Sequence, residues 1–95
     1  MDFEWDSDKD AANREKHGIS FDEAKHIFDG LVYTVADDRS DYGELREIRI
    51  GSPDMAVIVA VVHADRNGKT RLISARRANR KERKVYYDHI QETLG

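Results

Sequence analysis

The chain has 95 residues, enough for one compact domain and too few for two, and it contains no cysteine, which excludes disulfides, thiolate metal sites and cysteine nucleophiles. Its formal net charge is −3, which by itself does not favour a nucleic-acid partner. The first residues are acidic, and the longest apolar run, residues 55–62, is too short to cross a bilayer. We therefore expect a single soluble, cytoplasmic domain over residues 1–95, with no membrane segment.

The N-terminal third predicts a short strand followed by two helices. Residues 2–5 suit a strand. Helix formers that end at a glycine predict a helix over residues 7–17, with Ser7 as its N-cap. An S-x-x-E capping-box pattern that begins at Ser20 predicts a second helix over residues 21–29.

The rest of the chain predicts a sheet followed by one helix. Four apolar or β-branched segments predict strands, at residues 31–36, 45–51, 55–63 and 69–77. The third is continuously apolar, which is typical of a strand covered on both faces, and the Asn67-Gly68 turn joins it to an antiparallel partner. Asn79 and Glu82 form a cap pattern for the last helix. The order β-α-α-β-β-β-β-α indicates an α+β protein with an antiparallel sheet packed by helices.

Basic residues are concentrated in one segment. Residues 66–84 carry a local charge of +8, whereas the rest of the chain holds seven basic and eighteen acidic residues. The basic residues of this segment are Arg66, Lys69, Arg71, Arg76, Arg77, Arg80, Lys81, Arg83 and Lys84. Such density indicates a surface for phosphate groups.

Three pieces of the sequence carry a resemblance to a known family. They are FEWDSDKDAANREKHGISFDEA near the start, REIRIG in the middle and RLISARRANRKERKVYY near the end. In this order, and with nearly the whole chain covered, they resemble the BrnT toxins of type II toxin–antitoxin systems. The resemblance implies a RelE-like fold and RNA cleavage without a metal or other cofactor. It also implies a ribbon-helix-helix antitoxin of the BrnA type, through which the toxin meets operator DNA only indirectly.

Metal-free RNA cleavage uses the 2′-hydroxyl of the RNA as nucleophile, so the protein must supply a proton-exchanging group and fixed cations. Arg76 and Arg77 are candidates for holding phosphate, because a guanidinium matches phosphate oxygens. Neighbours on a strand face opposite ways, so one of the two faces the substrate. Strict alternation places Arg76 on the face of Leu72 and Ser74, and it is slightly favoured. The alternative, which applies to either arginine, is a structural role in which it pairs with Glu82 or caps a neighbouring helix.

Further catalytic candidates lie elsewhere in the chain. Lys16 and His17 end a predicted helix and combine a point charge with a proton-exchanging group, although cations there also complement the helix dipole. Arg46 stands on an otherwise apolar strand face and needs a buried acid or a substrate phosphate. His63, at the end of the apolar strand, is a weaker candidate, because a histidine on an apolar face is usually structural.

The remaining basic residues near the C-terminus are predicted to contact RNA without catalysing its cleavage. The predicted RNA-binding residues are Arg71, Arg80, Lys81, Arg83, Lys84 and Tyr86. Tyr86 is able to stack on a base, but its spacing to later apolar residues is also typical of core. The histidines form no metal-binding spacing.

Two other functions use the same basic segment. In a binding module, the basic groove holds an acidic segment of the antitoxin and catalysis is weak or lost; such a module has no need of His17. A DNA-binding protein is not favoured, because no basic recognition helix follows a short turn.

Overall fold

The computed structural model describes residues 1–39 and 41–94, and in it a five-stranded sheet is covered by helices on both faces. In chain order the elements are β1 (Phe3–Glu4), α1 (Ser7–His17), α2 (Phe21–Ala24), a 3-10 helix (Lys25–Asp29), β2 (Tyr33–Ala36), β3 (Glu47–Gly51), β4 (Val59–Arg66), β5 (Lys69–Arg77) and α3 (Arg80–Leu94). The sheet order is β1-β5-β4-β3-β2, with β1 parallel to β5 and all other pairs antiparallel. The predicted element order and α+β class are confirmed. None of the helices in this part of the chain has the length and apolar character needed to span a membrane.

Strand β4 is the centre of the core. Its residues from Val59 to Ala64 are all buried, as the continuous apolar run predicted. One sheet face packs on α2 and the turns around it through Phe21 and Ile27, and the other packs on α3 through Tyr86. Burial of these side chains is the dominant favourable contribution to folding.

The predicted start of this strand at residue 55 is wrong, because residues 52–58 form a turn instead. The carboxylate of Asp54 accepts hydrogen bonds from the backbone N–H groups of Ala56 and Val57, at 2.9 and 3.1 Å. Met55, between them, has a left-handed backbone with φ of +65°. A local side-chain-to-backbone turn therefore replaces the first part of the predicted strand.

Strand β5 contains a bulge that changes which residues share a face. Val62 pairs with Ser74, but the next residue of β4, His63, pairs with Leu72, so Ile73 is the extra residue. Ser74 and Arg76 therefore lie on the α3 face, whereas Leu72 belongs to the core on the opposite face. The predicted placement of Leu72 with Arg76 is wrong, because a bulge interrupts strict alternation.

The caps of the first two helices follow the sequence signals with one exception. Asp6, rather than Ser7, is the N-cap of α1, and its carboxylate accepts hydrogen bonds from two backbone N–H groups that lower the pKa of Asp6. Gly18 ends α1 with φ of +72°, a conformation that glycine adopts without strain. Ser20 and Glu23 form the predicted capping box, although the second helix tightens to 3-10 geometry after Ala24.

Asn13 attaches α1 to the edge of β5 where β1 ends. Its side-chain oxygen accepts a hydrogen bond from Ala75 N–H at 3.1 Å, and its amide nitrogen donates to the carbonyl of Ala75 at 2.8 Å and to that of Ile19 at 2.9 Å. The buried amide thus takes the place of a neighbouring strand. Because β1 lies beside the start of β5 and Asn13 beside Ala75, α1 follows the direction of β5, and the two elements end on the same side of the molecule.

Candidate nucleic-acid interface

Acidic residues neutralise part of the basic segment. Four of its nine basic residues, Arg66, Arg71, Arg76 and Lys84, form ion pairs. Their partners are Glu44, Glu4, Glu82 and Asp88, respectively. Within residues 1–39 and 41–94, the other five have no acidic partner, and they are Lys69, Arg77, Arg80, Lys81 and Arg83. The free positive charge is therefore concentrated where β5 ends and α3 begins.

We call this cluster of Arg77, Arg80, Lys81 and Arg83 the basic corner. Arg77 ends β5 and is exposed, and Arg80 and Lys81 extend from the first turn of α3. Arg83 donates a hydrogen bond to the carbonyl of Ala78 at 2.8 Å, which restricts its guanidinium. Arg77 and Arg83 line one cleft of about 160 Å³. The corner can bind an anion, because its four cations have no acidic partner among the described residues.

Arg76 is engaged by a carboxylate. Its guanidinium donates two hydrogen bonds to Glu82, at 2.7 and 2.9 Å, and these bonds lower the pKa of Glu82. Glu82 also accepts a hydrogen bond from the backbone N–H of Asn79, whose side chain accepts one from Glu82 N–H. The same carboxylate therefore caps α3 and fixes Arg76, whose side chain stays 31% exposed. A phosphate can therefore accept hydrogen bonds only from those N–H groups of Arg76 that do not donate to Glu82.

A second cleft brings the end of α1 to the exposed edge of β5. It measures about 310 Å³ and is lined by Lys9, Ala12, Asn13, Lys16, His17, Ile73 and Ser74. Lys16 is exposed and His17 is half-buried. Ser74 faces the same side of the sheet as Arg76, two residues further along β5. The cleft thus places a histidine and a lysine beside the strand that carries both candidate arginines, and Ser74, which the sequence did not single out, joins them.

Arg46 lies apart from this group. It precedes β3, and β4 separates β3 from β5, so that strands β3 and β5 are about 10 Å apart. Its guanidinium lies 3.9 Å from the ring centre of Tyr42, and its Nε lies 3.5 Å from a carboxylate oxygen of Glu44. A nearby acid, one of the two partners expected for this arginine, is therefore present.

Tyr86 is placed in the core. It is 7% exposed, its hydroxyl donates to the carbonyl of Leu31 at 3.2 Å, and burial raises the pKa of Tyr86. Stacking of its ring on a base is therefore excluded in this conformation, and the core interpretation of the helical spacing is the correct one. The neighbouring Tyr87 is 55% exposed.

His63 is buried on the face of α2, where Arg49 and Phe28 accompany it. The guanidinium of Arg49 lies 4.5 Å from the ring centre of Phe28, and the rings of Phe28 and His63 meet edge to face at 5.1 Å. Burial, together with the charge of Arg49, lowers the pKa of His63 to about 4. A neutral histidine packed on an aromatic ring fits the structural interpretation. Sequence reasoning overlooked Arg49, whose only signal was that it is a second arginine in the strand predicted at residues 45–51.

No three His, Asp or Glu side chains in the described ranges are grouped so that they could hold a metal ion.

The fold and the basic corner define a small α+β protein with a concentrated basic surface. A family model described as "Ribonuclease toxin, BrnT, of type II toxin-antitoxin system" matches residues 5–82. The chain therefore belongs to the BrnT family of ribonuclease toxins, which confirms the resemblance drawn from its motifs, and membership implies an antitoxin partner.

A solved structure is similar over most of the chain. It is the 1.1 Å crystal structure of the ribonuclease toxin BrnT from Brucella abortus, with a TM-score of 0.63 and 25% sequence identity. The match covers 84% of this chain and 99% of that chain. No curated protein matches the sequence significantly.

Proposed function

We propose that this protein is a metal-independent endoribonuclease that cleaves RNA by attack of the 2′-hydroxyl on the adjacent phosphorus. Membership of a ribonuclease toxin family supports RNA cleavage. The observation that carries the proposal for this chain is the basic corner, whose four cations have no acidic partner in residues 1–39 and 41–94. They lie at the end of β5, on the side of the molecule where α1 ends in His17.

The basic corner holds the RNA backbone. Arg77 and Arg83 bind phosphate oxygens within their cleft, because a guanidinium donates two parallel hydrogen bonds to a phosphate. Arg80 and Lys81 attract neighbouring phosphates as exposed charges. A bound phosphate also satisfies the positive end of the α3 dipole. The ion-paired Arg71 and Lys84 contribute longer-range attraction only.

The cleft at the end of α1 supplies the proton transfer. His17 removes the proton from the 2′-hydroxyl as its oxygen bonds to phosphorus, and Lys16 and Arg76 stabilise the additional negative charge of the phosphorane. The bond from phosphorus to the 5′-oxygen then breaks, and the leaving oxygen takes a proton from a group or water in the cleft. The products are a 2′,3′-cyclic phosphate and a 5′-hydroxyl. Arg46 takes no part, because it precedes β3, which β4 separates from β5 and from the cleft at the end of α1.

The antitoxin expected for this family is proposed to be a BrnA-like ribbon-helix-helix protein that covers the basic corner. RNA and the antitoxin then compete for the same cations. The toxin meets operator DNA only through this antitoxin.

A second candidate function is a binding module with weak catalysis, and the Arg76–Glu82 pair favours it. Two of the donors that would stabilise a phosphorane are already bonded to a carboxylate. In such a protein the basic corner serves mainly to bind the antitoxin.

Incubation of the purified chain with an unstructured RNA in EDTA, followed by analysis of the product ends, tests the proposal. Cleavage that leaves 2′,3′-cyclic phosphate ends is the expected result. Cleavage that appears only when a divalent cation is added contradicts metal independence. Absence of cleavage on free RNA and on ribosome-bound RNA favours the binding module.

A further inference from the structure

A groove that the proposed chemistry does not use runs along α3 away from the basic corner. Its apolar half measures about 240 Å³, and its lining includes Ser52, Met55, Ala56, Ile58, Tyr87 and Ile90. Ala56, Ile58 and Tyr87 also line the cleft that contains Arg77 and Arg83. The two clefts therefore adjoin between α3 and residues 52–58, and we call them together the groove, with an apolar end and a cationic end.

Met55 projects from the wall of the apolar end. Its side chain is 96% exposed, although methionine is an apolar residue that folding normally buries. The φ of +65° places the backbone of Met55 in the left-handed region. Because of its Cβ, a residue other than glycine or asparagine adopts this conformation only at a cost in energy. The Asp54 turn holds the backbone in this position. The fold therefore maintains a strained, exposed apolar side chain that contributes nothing to its own core.

From this arrangement we infer that the groove is the docking site for a segment of the antitoxin that carries aliphatic and acidic side chains. The aliphatic side chains pack against Met55, Tyr87 and Ile90, which already form a partly shaped apolar surface. The acidic side chains pair with Arg77 and Arg83 at the other end. Membership of the family implies that the protein has an antitoxin partner. The claim that docking of the antitoxin also blocks RNA binding rests on the proposed function.

Complementarity favours a protein segment over RNA as the occupant of the whole groove. A polynucleotide matches the cationic end, but it offers no aliphatic group for Met55 and Ile90. A peptide with both kinds of side chain matches the two ends at once, in the manner of an amphipathic segment lying in a groove. Because the cationic end belongs to the basic corner, such a segment excludes RNA from Arg77 and Arg83 without touching His17.

The Met55→Asn variant separates docking from folding. Asparagine tolerates a left-handed backbone better than methionine does, so the variant should unfold at the same urea concentration as the wild type or at a higher one. Tyr87→Gln removes an exposed ring from the same groove and keeps a good helix former. Leu45→Asn is the matched control, because Leu45 is also exposed and apolar but lies outside the groove.

Titration of the full-length chain with its purified cognate antitoxin is the test. We expect the dissociation constant to rise at least tenfold for Met55→Asn and for Tyr87→Gln, and to stay within twofold of the wild type for Leu45→Asn. Equal affinity of the wild type and the two groove variants overturns the inference. An equal loss in the Leu45 control overturns it as well, because it shows a general effect of surface polarity.

Two parallel measurements exclude other occupants and separate this inference from the proposed function. RNA binding by Met55→Asn, measured with a fluorescent oligonucleotide, should match the wild type, and a tenfold loss would assign the groove to RNA. The wild-type chain should sediment as a monomer, and a dimer that Met55→Asn dissociates would assign the groove to a second copy. If no variant cleaves RNA but the groove variants lose antitoxin binding, docking stands and the ribonuclease proposal fails.

Discussion

His63 makes the stability of the fold depend on pH. Burial, together with Arg49, lowers the pKa of His63 to about 4, whereas a histidine in the unfolded chain titrates near 6.5. Below pH 6.5 the unfolded state therefore binds a proton at this histidine that the folded state does not bind. As a result, the free energy of unfolding decreases as the pH is lowered from 6.5 to about 4. The loss attributable to His63 is about 3 kcal/mol.

Urea unfolding of the wild type and of His63→Leu at pH 7, 5.5 and 4 measures this effect. The variant should lose less stability than the wild type as the pH falls, because its side chain does not titrate. His26→Gln, at an exposed histidine, should keep the wild-type dependence. An unchanged pH dependence in His63→Leu would show that other groups cause it.

Single residues show where sequence reasoning reaches its limit. The cap pattern of Asn79 with Glu82 and the pairing of Arg76 or Arg77 with Glu82 were separate expectations, and the carboxylate that helps to cap the helix is the one that binds Arg76. The pattern could not reveal that the two uses coincide, because that depends on the angle at which α3 leaves β5. The exposure of Met55 was equally hidden, since a left-handed turn interrupts an apolar run that otherwise indicates a strand.

Glu82→Gln separates the ion pair from the helix cap. Glutamine keeps an oxygen that accepts from Asn79 N–H, but it lacks the charge that holds Arg76. We expect a loss of stability of about 1 kcal/mol and an affinity for a fluorescent RNA that rises about threefold, because a repelling charge is removed and Arg76 is released. Asp88→Asn removes the same charge from the exposed pair with Lys84 and should change RNA affinity less. Equal effects of the two substitutions would show that Arg76 is not part of the RNA surface.

At the scale of elements, Asn13 holds α1 against the edge of β5. Asn13→Ala removes three hydrogen bonds and leaves the buried backbone groups of Ala75 and Ile19 without partners. We expect the free energy of unfolding to fall by about 3 kcal/mol or more, because each orphaned buried group costs about 1 to 3 kcal/mol.

Asn13→Asp should restore little of this stability, since a carboxylate accepts from Ala75 N–H but cannot donate to either carbonyl. Gln91→Ala, at an exposed position of α3, provides the baseline in urea unfolding. Wild-type stability in Asn13→Ala would contradict the attachment described for α1.

The elements themselves were largely predictable from the sequence. Glycine stops, cap patterns and the Asn-Gly turn gave the number, type and order of the helices and strands. The bulge at Ile73 was not predictable, because strand alternation carries no signal of an extra residue, and it moved Leu72 to the other face. The glycine that ends the first predicted helix located Lys16 and His17 at its C-terminus, but only the fold shows that Asn13 takes the place of a neighbouring strand.

At the scale of the whole molecule, charge pairing decides which part of the basic segment is free. Arg66 and Arg71 pair with Glu44 and Glu4, which are distant in sequence and meet them only through the sheet topology. Counting charges along the chain therefore predicted a basic surface but not its extent. The basic corner alone remains for RNA among the described residues of this segment, apart from Lys69 at the hairpin.

The salt dependence of RNA binding reports the size of this surface. If the four cations of the basic corner each neutralise one phosphate, the logarithm of the association constant should fall with the logarithm of salt concentration with a slope of about −3. Arg77→Gln should reduce the slope to about −2. Lys69→Gln, which removes a free charge outside the corner, should leave the slope unchanged. Equal slopes for both variants would show that the RNA does not lie on the corner.

The cleavage rate of an unstructured RNA in EDTA, measured with enzyme in excess for the wild type, His17→Gln and His26→Gln, tests the central claim most directly. His17 shares a cleft with Lys16 and Ser74, whereas His26 is exposed on the 3-10 helix. The account predicts 2′,3′-cyclic phosphate products and a rate that falls at least a hundredfold in His17→Gln, as is typical when a proton-transferring group is lost. It predicts the wild-type rate in His26→Gln. Undiminished cleavage by His17→Gln would contradict the placement of the catalytic site at the end of α1.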